Sequence, residues 1–480
     1  MQLRDLLMDI TCEVRGDLGI EIQGIQYDSR KIQPGDLFFC ISGFQVDGHR
    51  FAASAVEKGA VAVVVNRWLP ELQAVQILVE NTRIGMAQIS SNYYDNPSRK
   101  MKVIGVTGTN GKTTTTYMIK KICEHSGLKV GLMGTIVNLI GDEEIHTERT
   151  TPESMDLQRL LWEMQSKCCD IVVMEVSSHS LALHRVYGVD FDVAVFTNLT
   201  QDHLDFHGTL ENYRDAKAKL FAMSKVSVIN EDDGAAQTMV DASAGRVLTY
   251  GMGENADLRA VKVNLSAKGT EFCTTIQGKE ICFATKIPGA FTVYNSLAAV
   301  GAALAVDIPI ADIQQGLRQL GGVQGRCEVL NTKGKEYRII LDYAHTPDGL
   351  ENIIKAVRGF AKGRVITVFG CGGNRDSEKR PIMGKIAVEL SDYVIITSDN
   401  PRFERPEDII GDIEEGAKDH PGKYEIVVDR IAAIRRAMAI ARKGDVILLA
   451  GKGHETYQEI KGVKHHFDEK EIVEKLLREF

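Results

Sequence analysis

Residues 105–119 read GVTGTNGKTTTTYMI, a glycine-rich stretch that runs into Gly-Lys-Thr. Between a strand and a helix, such a stretch can bind phosphate. Its backbone N–H groups wrap the oxygens, and the helix N-terminus adds positive potential. On that reading Gly108, Thr109, Asn110, Gly111 and Thr114 surround the phosphates of a nucleotide. Lys112 reaches between the β and γ groups, and Thr113 offers its hydroxyl to Mg²⁺. The common spelling, G-x-x-x-x-G-K-[ST], would place its first glycine at 106, where valine stands. The context still fits. An apolar run, 103–106, precedes the loop, and Met118, Ile119, Ile122 and Cys123 recur behind it at helical spacing. Gly127 suits the helix end. The plainer alternative is a tight glycine turn followed by a chance Lys-Thr.

A second set of reactive groups lies in DIVVMEVSSHSLALHR and TNLTQDHLDFHGTLENYRDAKAKLF. Ligands of open α/β sheets sit at the carboxyl ends of strands. Glu175, late in a buried strand, and His203, after the next one, therefore reach the crevice of Thr113. The three make a mixed oxygen and nitrogen set for Mg²⁺. Histidine is unusual for a hard cation, so water and phosphate oxygens must complete it. The helix after DFHG carries a misfit: Leu210, Tyr213, Lys217 and Leu220 share one stripe. A lysine there either snorkels past its apolar neighbours to water or is desolvated. A desolvated free amine can take up CO₂ and become a carbamate, a carboxylate on a long arm.

Three units are expected to position these groups. Residues 1–98 form a first, mixed α/β unit closed by a polar linker around Asn96-Pro97. Residues 99–325 alternate strands and helices, which implies a mostly parallel sheet covered on both faces, with a β-rich insert near 247–287. Residues 326–480 repeat strand, loop and helix. A chain of 480 residues is too long for one core. Its formal charge of −8 argues against nucleic acid or an anionic membrane as a partner held by bulk charge. No apolar run is of transmembrane length, and the first residues lack a signal-peptide core. Nine scattered cysteines with no C-x-x-C pair are expected to be reduced cytoplasmic thiols, with no disulfide frame and no zinc site.

TGTNGKTT, MEVSSH, TNLTQDHLDFHG and NYRDAKAKLF resemble the Mur ligases of peptidoglycan synthesis, in that family's order. GRCEV, LDYAHTPDGL and AGKGHE extend the likeness into the third unit. The family's own loop reads T-G-T-[NK]-G-K-[ST], so the resemblance accounts for Val106. It implies a UDP-binding N-terminal domain, a central P-loop-type ATPase domain and a Rossmann-like C-terminal domain. It implies ATP as co-substrate, Mg²⁺ as cofactor and a catalytic group of Lys112, Glu175, His203 and Lys217, the last as N6-carboxylysine binding the metal. Arg326 and Asp342 match contacts to ATP from the third domain, and Asn295 one near the adenine. Ser29, Phe44, Gln45, Val46, Thr150, Thr151, Ser177 and Arg185 match contacts to the UDP-muramoyl substrate.

Within the family the likeness is to members that add the third residue of the peptide. The implied substrate is UDP-N-acetylmuramoyl-L-alanyl-D-glutamate. In SDNPRFERPED, the D-N-P-R tetrad marks members that add meso-diaminopimelate, and Arg402 would pair with its distal carboxylate. Arg375, Asp399, Asn400, Pro401, Gly451 and Glu455 match the remaining contacts. Asn400-Pro401 alone reads equally as a turn. His345 and Asp348 either serve the site or cap a helix. Alternatives are the same ligation with L-lysine, a folylpolyglutamate-synthase-like ligase, and an ATP-driven motor or switch. A cytoplasmic monomer without membrane insertion or nucleic acid is expected.

Overall fold

The computed structural model describes residues 1–479 except 44, 45, 148 and 267. Its architecture is α/β in three domains, each built on its own sheet. The first sheet has five strands in the order Glu13–Arg15, Val75–Leu78, Ala62–Val65, Asp36–Phe39, Gly24–Gln26. Its one antiparallel pair is at the edge.

The central sheet has nine strands. Seven run parallel, in the order Leu258–Arg259, Arg246–Gly251, Ser224–Asn230, Phe191–Phe196, Lys102–Thr107, Ile171–Glu175, Val130–Met133. Two short antiparallel strands, Asn138–Ile140 and Glu143–Ile145, finish the edge. The inner strands are apolar on both faces because helices cover both, as a parallel sheet requires. Register settles the spelling of the phosphate loop. Val106 pairs with both Glu175 and Val195, so it is a fully buried sheet residue and the loop begins after it. Helix Lys112–His125 follows the loop, and Gly127 leaves it in the left-handed region (φ 86°).

The β-rich insert is a three-stranded antiparallel sheet, Val261–Ser266, Gly269–Ile276 and Lys279–Thr285. It corrects the cysteine expectation. Cys273 and Cys282 are directly opposed in its hairpin and form a disulfide, while the other seven thiols are free. The cause is the turn: Gln277 and Gly278 both have positive φ, as a two-residue hairpin needs, and that register brings together residues nine apart.

The third sheet runs Glu328–Leu330, Arg338–Asp342, Val446–Ala450, Val365–Phe369, Tyr393–Ile396, Tyr424–Ile426, parallel except for its first pair. A small hairpin, Tyr457–Ile460 with Val463–His466, follows. Among the described residues no helix is long and apolar enough to cross a membrane.

Candidate functional site

The loop after strand Lys102–Thr107 is shaped by two glycines. Gly108 has φ 147°, and a Cβ there would lie 1.8 Å from Thr197 Oγ1. Gly111 has φ 84°, and a Cβ would lie 2.4 Å from Asn295 Oδ1. Any side chain would collide at either position, so the turn is open only to glycine. The loop is pinned to the next strand end: Thr109 N–H donates to Asn198 O (2.8 Å) and Asn110 N–H to Asn198 Oδ1 (2.9 Å). Lys112 Nζ curls over the loop and donates to the carbonyls of Gly108 and Thr109, each at 2.8 Å. Burial holds its pKa below the ordinary lysine value, against the pull of Glu175.

One cavity of about 520 Å³ collects the reactive groups. The phosphate loop, Thr150, Glu175, Ser177, His203 and Lys217 line it from the central domain, and Arg326, Asp342, His345 and Asp348 from the third. Glu175 is buried at its strand end and held by Thr135, which donates its N–H to Oε1 (2.9 Å) and its hydroxyl to Oε2 (3.0 Å). His203 sits at φ 55°, with Asp202 Oδ2 3.4 Å from Nε2. Burial outweighs Asp202 and keeps this imidazole below the usual range, hence neutral at pH 7.

Lys217 is only 1% exposed. Its Nζ lies 4.3 Å from the centre of the Tyr213 ring, and among the described residues no carboxylate is within ion-pair distance. Burial first, and Lys112 second, push its pKa well below the ordinary value. The desolvated alternative for this lysine is the one observed, and snorkelling is not. The stripe needs one correction: Leu210 is 42% exposed, because it opens the helix Leu210–Ala218 instead of packing within it. Tyr213, Lys217 and Leu220 are buried.

The third domain reaches into the cavity directly. Arg326 Nη2 donates to Thr113 Oγ1 at 3.1 Å. Asp342 accepts from the N–H groups of Cys327 (2.7 Å) and Ala344 (2.8 Å), and burial raises its pKa although Arg326 opposes it. Asp348 accepts from Asn110 Nδ2 at 2.6 Å. Neither His345 nor Asp348 caps helix Pro347–Arg358; Thr346 does, through its hydroxyl. Asn295 lies beside Gly111 and Thr115.

Residues matched to the UDP substrate divide between two places. Thr151 donates to the carbonyl of Glu175 (2.9 Å) and Arg185 to that of Thr151 (3.3 Å), and Thr150 meets Thr135 at 3.1 Å. This group is thus wired to Glu175. Ser29 and Val46 lie in the first domain, outside the cavity lining. Phe44 and Gln45 lie outside the described residues.

The residues matched to the added amino acid gather elsewhere, at the carboxyl ends of strands Val365–Phe369, Tyr393–Ile396 and Val446–Ala450. Asn400 Nδ2 donates to Glu455 Oε2 at 2.8 Å. Arg402, at φ 51°, donates from Nη1 to Gly373 O (2.8 Å) and from Nε to Glu459 Oε2 (3.2 Å). A Cβ on Gly451 would meet Asp399 Oδ2 at 2.7 Å. Arg375 is exposed, in the loop that follows strand Val365–Phe369.

Residues 21–94 match the Mur ligase family catalytic domain, 106–303 the Mur ligase middle domain, and 325–453 the Mur ligase glutamate ligase domain. The chain belongs to the Mur ligase family. This Mur ligase is 51% identical over its whole length to UDP-N-acetylmuramoyl-L-alanyl-D-glutamate--2,6-diaminopimelate ligase 1 of Clostridium acetobutylicum, also covered completely. A solved structure of a UDP-N-acetylmuramoyl-L-alanyl-D-glutamate--2,6-diaminopimelate ligase matches with TM-score 0.73 and 32% identity, over 100% of this chain and 99% of that one. A folylpolyglutamate synthase of Mycobacterium tuberculosis matches 78% of this chain and 92% of its own at TM-score 0.64 and 15% identity, a likeness of fold alone.

Several groups at the site of this Mur ligase had no signal of their own in the sequence. Thr135 orients Glu175, and Asn198 clamps the phosphate loop from the neighbouring strand. Their roles depend on strand order. Tyr213, whose ring faces Lys217 and whose hydroxyl meets Thr109 Oγ1 at 3.2 Å, stood on the apolar stripe and was legible only as core.

Proposed function

We propose that the protein joins meso-diaminopimelate to the γ-carboxylate of D-glutamate in UDP-N-acetylmuramoyl-L-alanyl-D-glutamate, with ATP as the energy source, in peptidoglycan synthesis. One observation carries the reading: a phosphate loop, a buried carboxylate and a desolvated lysine share a cavity with Arg326 and Asp342 of the third domain. Relatives named for that ligation, alike from end to end, support the choice of substrates.

A carboxylate resists attack by an amine at neutral pH, so it must be activated. A γ-carboxylate oxygen attacks the γ-phosphorus of ATP, and ADP leaves. The neutral amine attacks the carbonyl carbon of the resulting acyl phosphate, the C–O bond to phosphate breaks, and the nitrogen gives up one proton as the amide forms and phosphate leaves. Two anions must first be brought together. Lys112, the loop N–H groups and Arg326 offset their repulsion, and most of the rate comes from positioning and electrostatics. Asp342, with its strand-end N–H bonds, and Asn295 would set the nucleotide. Thr150, Thr151, Ser177 and Arg185 would hold the substrate arm beside Glu175, with Ser29 and Val46 at its UDP end.

The cavity's donors fit a hard cation: the Thr113 hydroxyl, the Glu175 carboxylate and neutral His203, with a carbamate on Lys217 supplying a second anionic oxygen pair. Mg²⁺ held there would neutralise charge near the γ-phosphate. Domain boundaries near 98 and 325, a monomeric state and a cytoplasmic location belong to the same proposal. Incubation with ATP, Mg²⁺, the UDP-dipeptide and meso-diaminopimelate should release one ADP per nucleotide tripeptide formed. Fast ATP hydrolysis with neither the dipeptide nor an amine present would instead indicate a motor or switch.

A further inference from the structure

Lys452 follows strand Val446–Ala450 and is fully buried (0% exposed). Its ammonium donates to Asn400 Oδ1 at 3.2 Å and to Glu455 Oε2 at 3.1 Å. Those two residues are also bonded to each other, through Asn400 Nδ2 and Glu455 Oε2. The N–H of Glu459 takes Asn400 Oδ1 from the other side at 2.9 Å. With two donors on its oxygen, the Asn400 amide has one orientation: oxygen to Lys452, nitrogen to Glu455. The rings of Tyr457 and Phe467 stand 5.7 Å from the ammonium. A lysine in such a place is expensive unless its charge is matched. Here the match is with two residues of the proposed amino-acid pocket.

We infer that Lys452 is a positioning residue of that pocket: it locks Asn400 and Glu455 into the arrangement that receives the ammonium of the incoming diamino acid. The inference rests on the reading of Asn400 and Glu455 as amino-acid contacts. With Oε2 committed to Lys452 and Asn400, Oε1 of Glu455 is the oxygen left for the substrate; among the described residues only the Tyr343 hydroxyl approaches it, at 3.5 Å. The charge environment agrees. Burial first, then Asp399, push the Glu455 carboxyl up, and Lys452 and Asn400 pull it down. Tyr343 and Tyr457 also face it, and both are driven up by burial and by Glu455 itself. Buried Arg430, bonded to Glu469 at 2.8 Å and 3.9 Å from Asp399, supplies a second cation behind the pocket. Lys452 is the cation in direct contact with Glu455, and its loss would favour the neutral carboxyl.

Lys452→Met tests the role by steady-state kinetics. The KM for meso-diaminopimelate should rise about tenfold or more, while the KM for ATP stays within about twofold. A neutral Glu455 binds an ammonium poorly, so kcat/KM for the amine falls as pH drops through the Glu455 pKa. Removing the cation raises that pKa, and the acidic limb should move to higher pH. Lys452→Gln keeps a donor without the charge and should show the same displacement, so it carries the test if the methionine variant does not fold. An unmoved limb and an unchanged amine KM would overturn the inference. So would failure of both variants to fold, which would assign Lys452 to stability alone. Glu455→Gln separates the underlying reading: an unchanged amine KM there would overturn the pocket itself. A raised KM in Glu455→Gln beside an unchanged one in Lys452→Met would overturn only the role of Lys452.

Discussion

Arg326 and Thr113 lie 213 positions apart, yet Arg326 Nη2 donates to Thr113 Oγ1 at 3.1 Å. The first residues of the third domain therefore touch the phosphate loop of the second. The Arg326 guanidinium also stacks 4.6 Å from the centre of the Tyr343 ring, which fixes its approach. Arg326→Ala should lower kcat by about 10²–10³, the usual effect of deleting one preorganised donor at a developing charge. Thermal unfolding should move little. Wild-type turnover in this variant, measured at saturating ATP, would remove Arg326 from the reaction.

Lys217→Ala should nearly abolish ligation while the fold survives. The side chain is buried beside Tyr213 with no carboxylate partner among the described residues, so its amine is available to take up CO₂. A small carboxylic acid should restore part of the activity by standing in for the carbamate. Full turnover of Lys217→Ala in CO₂-depleted buffer would rule the carbamate out.

Arg402→Ala should raise the KM for meso-diaminopimelate strongly and leave the KM for ATP nearly unchanged. Two donors of this guanidinium, Nη1 and Nε, are committed to Gly373 and Glu459, which holds the side chain in place and leaves Nη2 as the donor for a substrate carboxylate. Sites built to bond a substrate group reject analogues lacking it by roughly 10⁴ or more. The variant need not become a lysine ligase, because Asn400, Glu455 and Lys452 still shape the pocket. An amine KM equal to that of the wild type would exclude Arg402 as a selecting element.

Far from the site, Asp445 accepts from Arg364 and from the N–H groups of Arg364 and Arg442. Burial alone would raise its carboxyl, but these bonds hold it below the usual value. The folded pKa is below the unfolded one, so its stabilisation is present above about pH 4 and is lost as pH falls through the folded pKa. Asp445→Asn should cost about 2–3 kcal/mol at pH 7 and less at pH 3. Denaturant titrations at both values check this, and an equal loss at both would show that the charge is not the source.

Part of the site is legible in the amino-acid sequence alone. The phosphate loop, Glu175 and His203 follow from strand-then-loop order, since a parallel sheet presents its chemistry at one end. Lys217 stands out because a charge interrupts an apolar stripe. Leu210 is misplaced by that stripe for a related reason: periodicity marks a face but not where a helix starts, and Leu210 sits in the exposed first turn. The Cys273–Cys282 bond depends on a hairpin register that spacing does not disclose. Thr135, Asn198 and Lys452 act through partners at the ends of other strands or in the loops that follow them, so their meaning appears only once the sheets are assembled.

The central claim is the joining of meso-diaminopimelate to the UDP-dipeptide, and competition tests it most directly. Purified protein receives ATP, Mg²⁺ and the UDP-dipeptide with equal concentrations of meso-diaminopimelate and L-lysine, and the nucleotide products are weighed by mass spectrometry. The expected result is a product carrying diaminopimelate, with ADP released in equal amount and almost no lysine adduct. Equal amounts of the two adducts, or ADP release without any adduct, would contradict it.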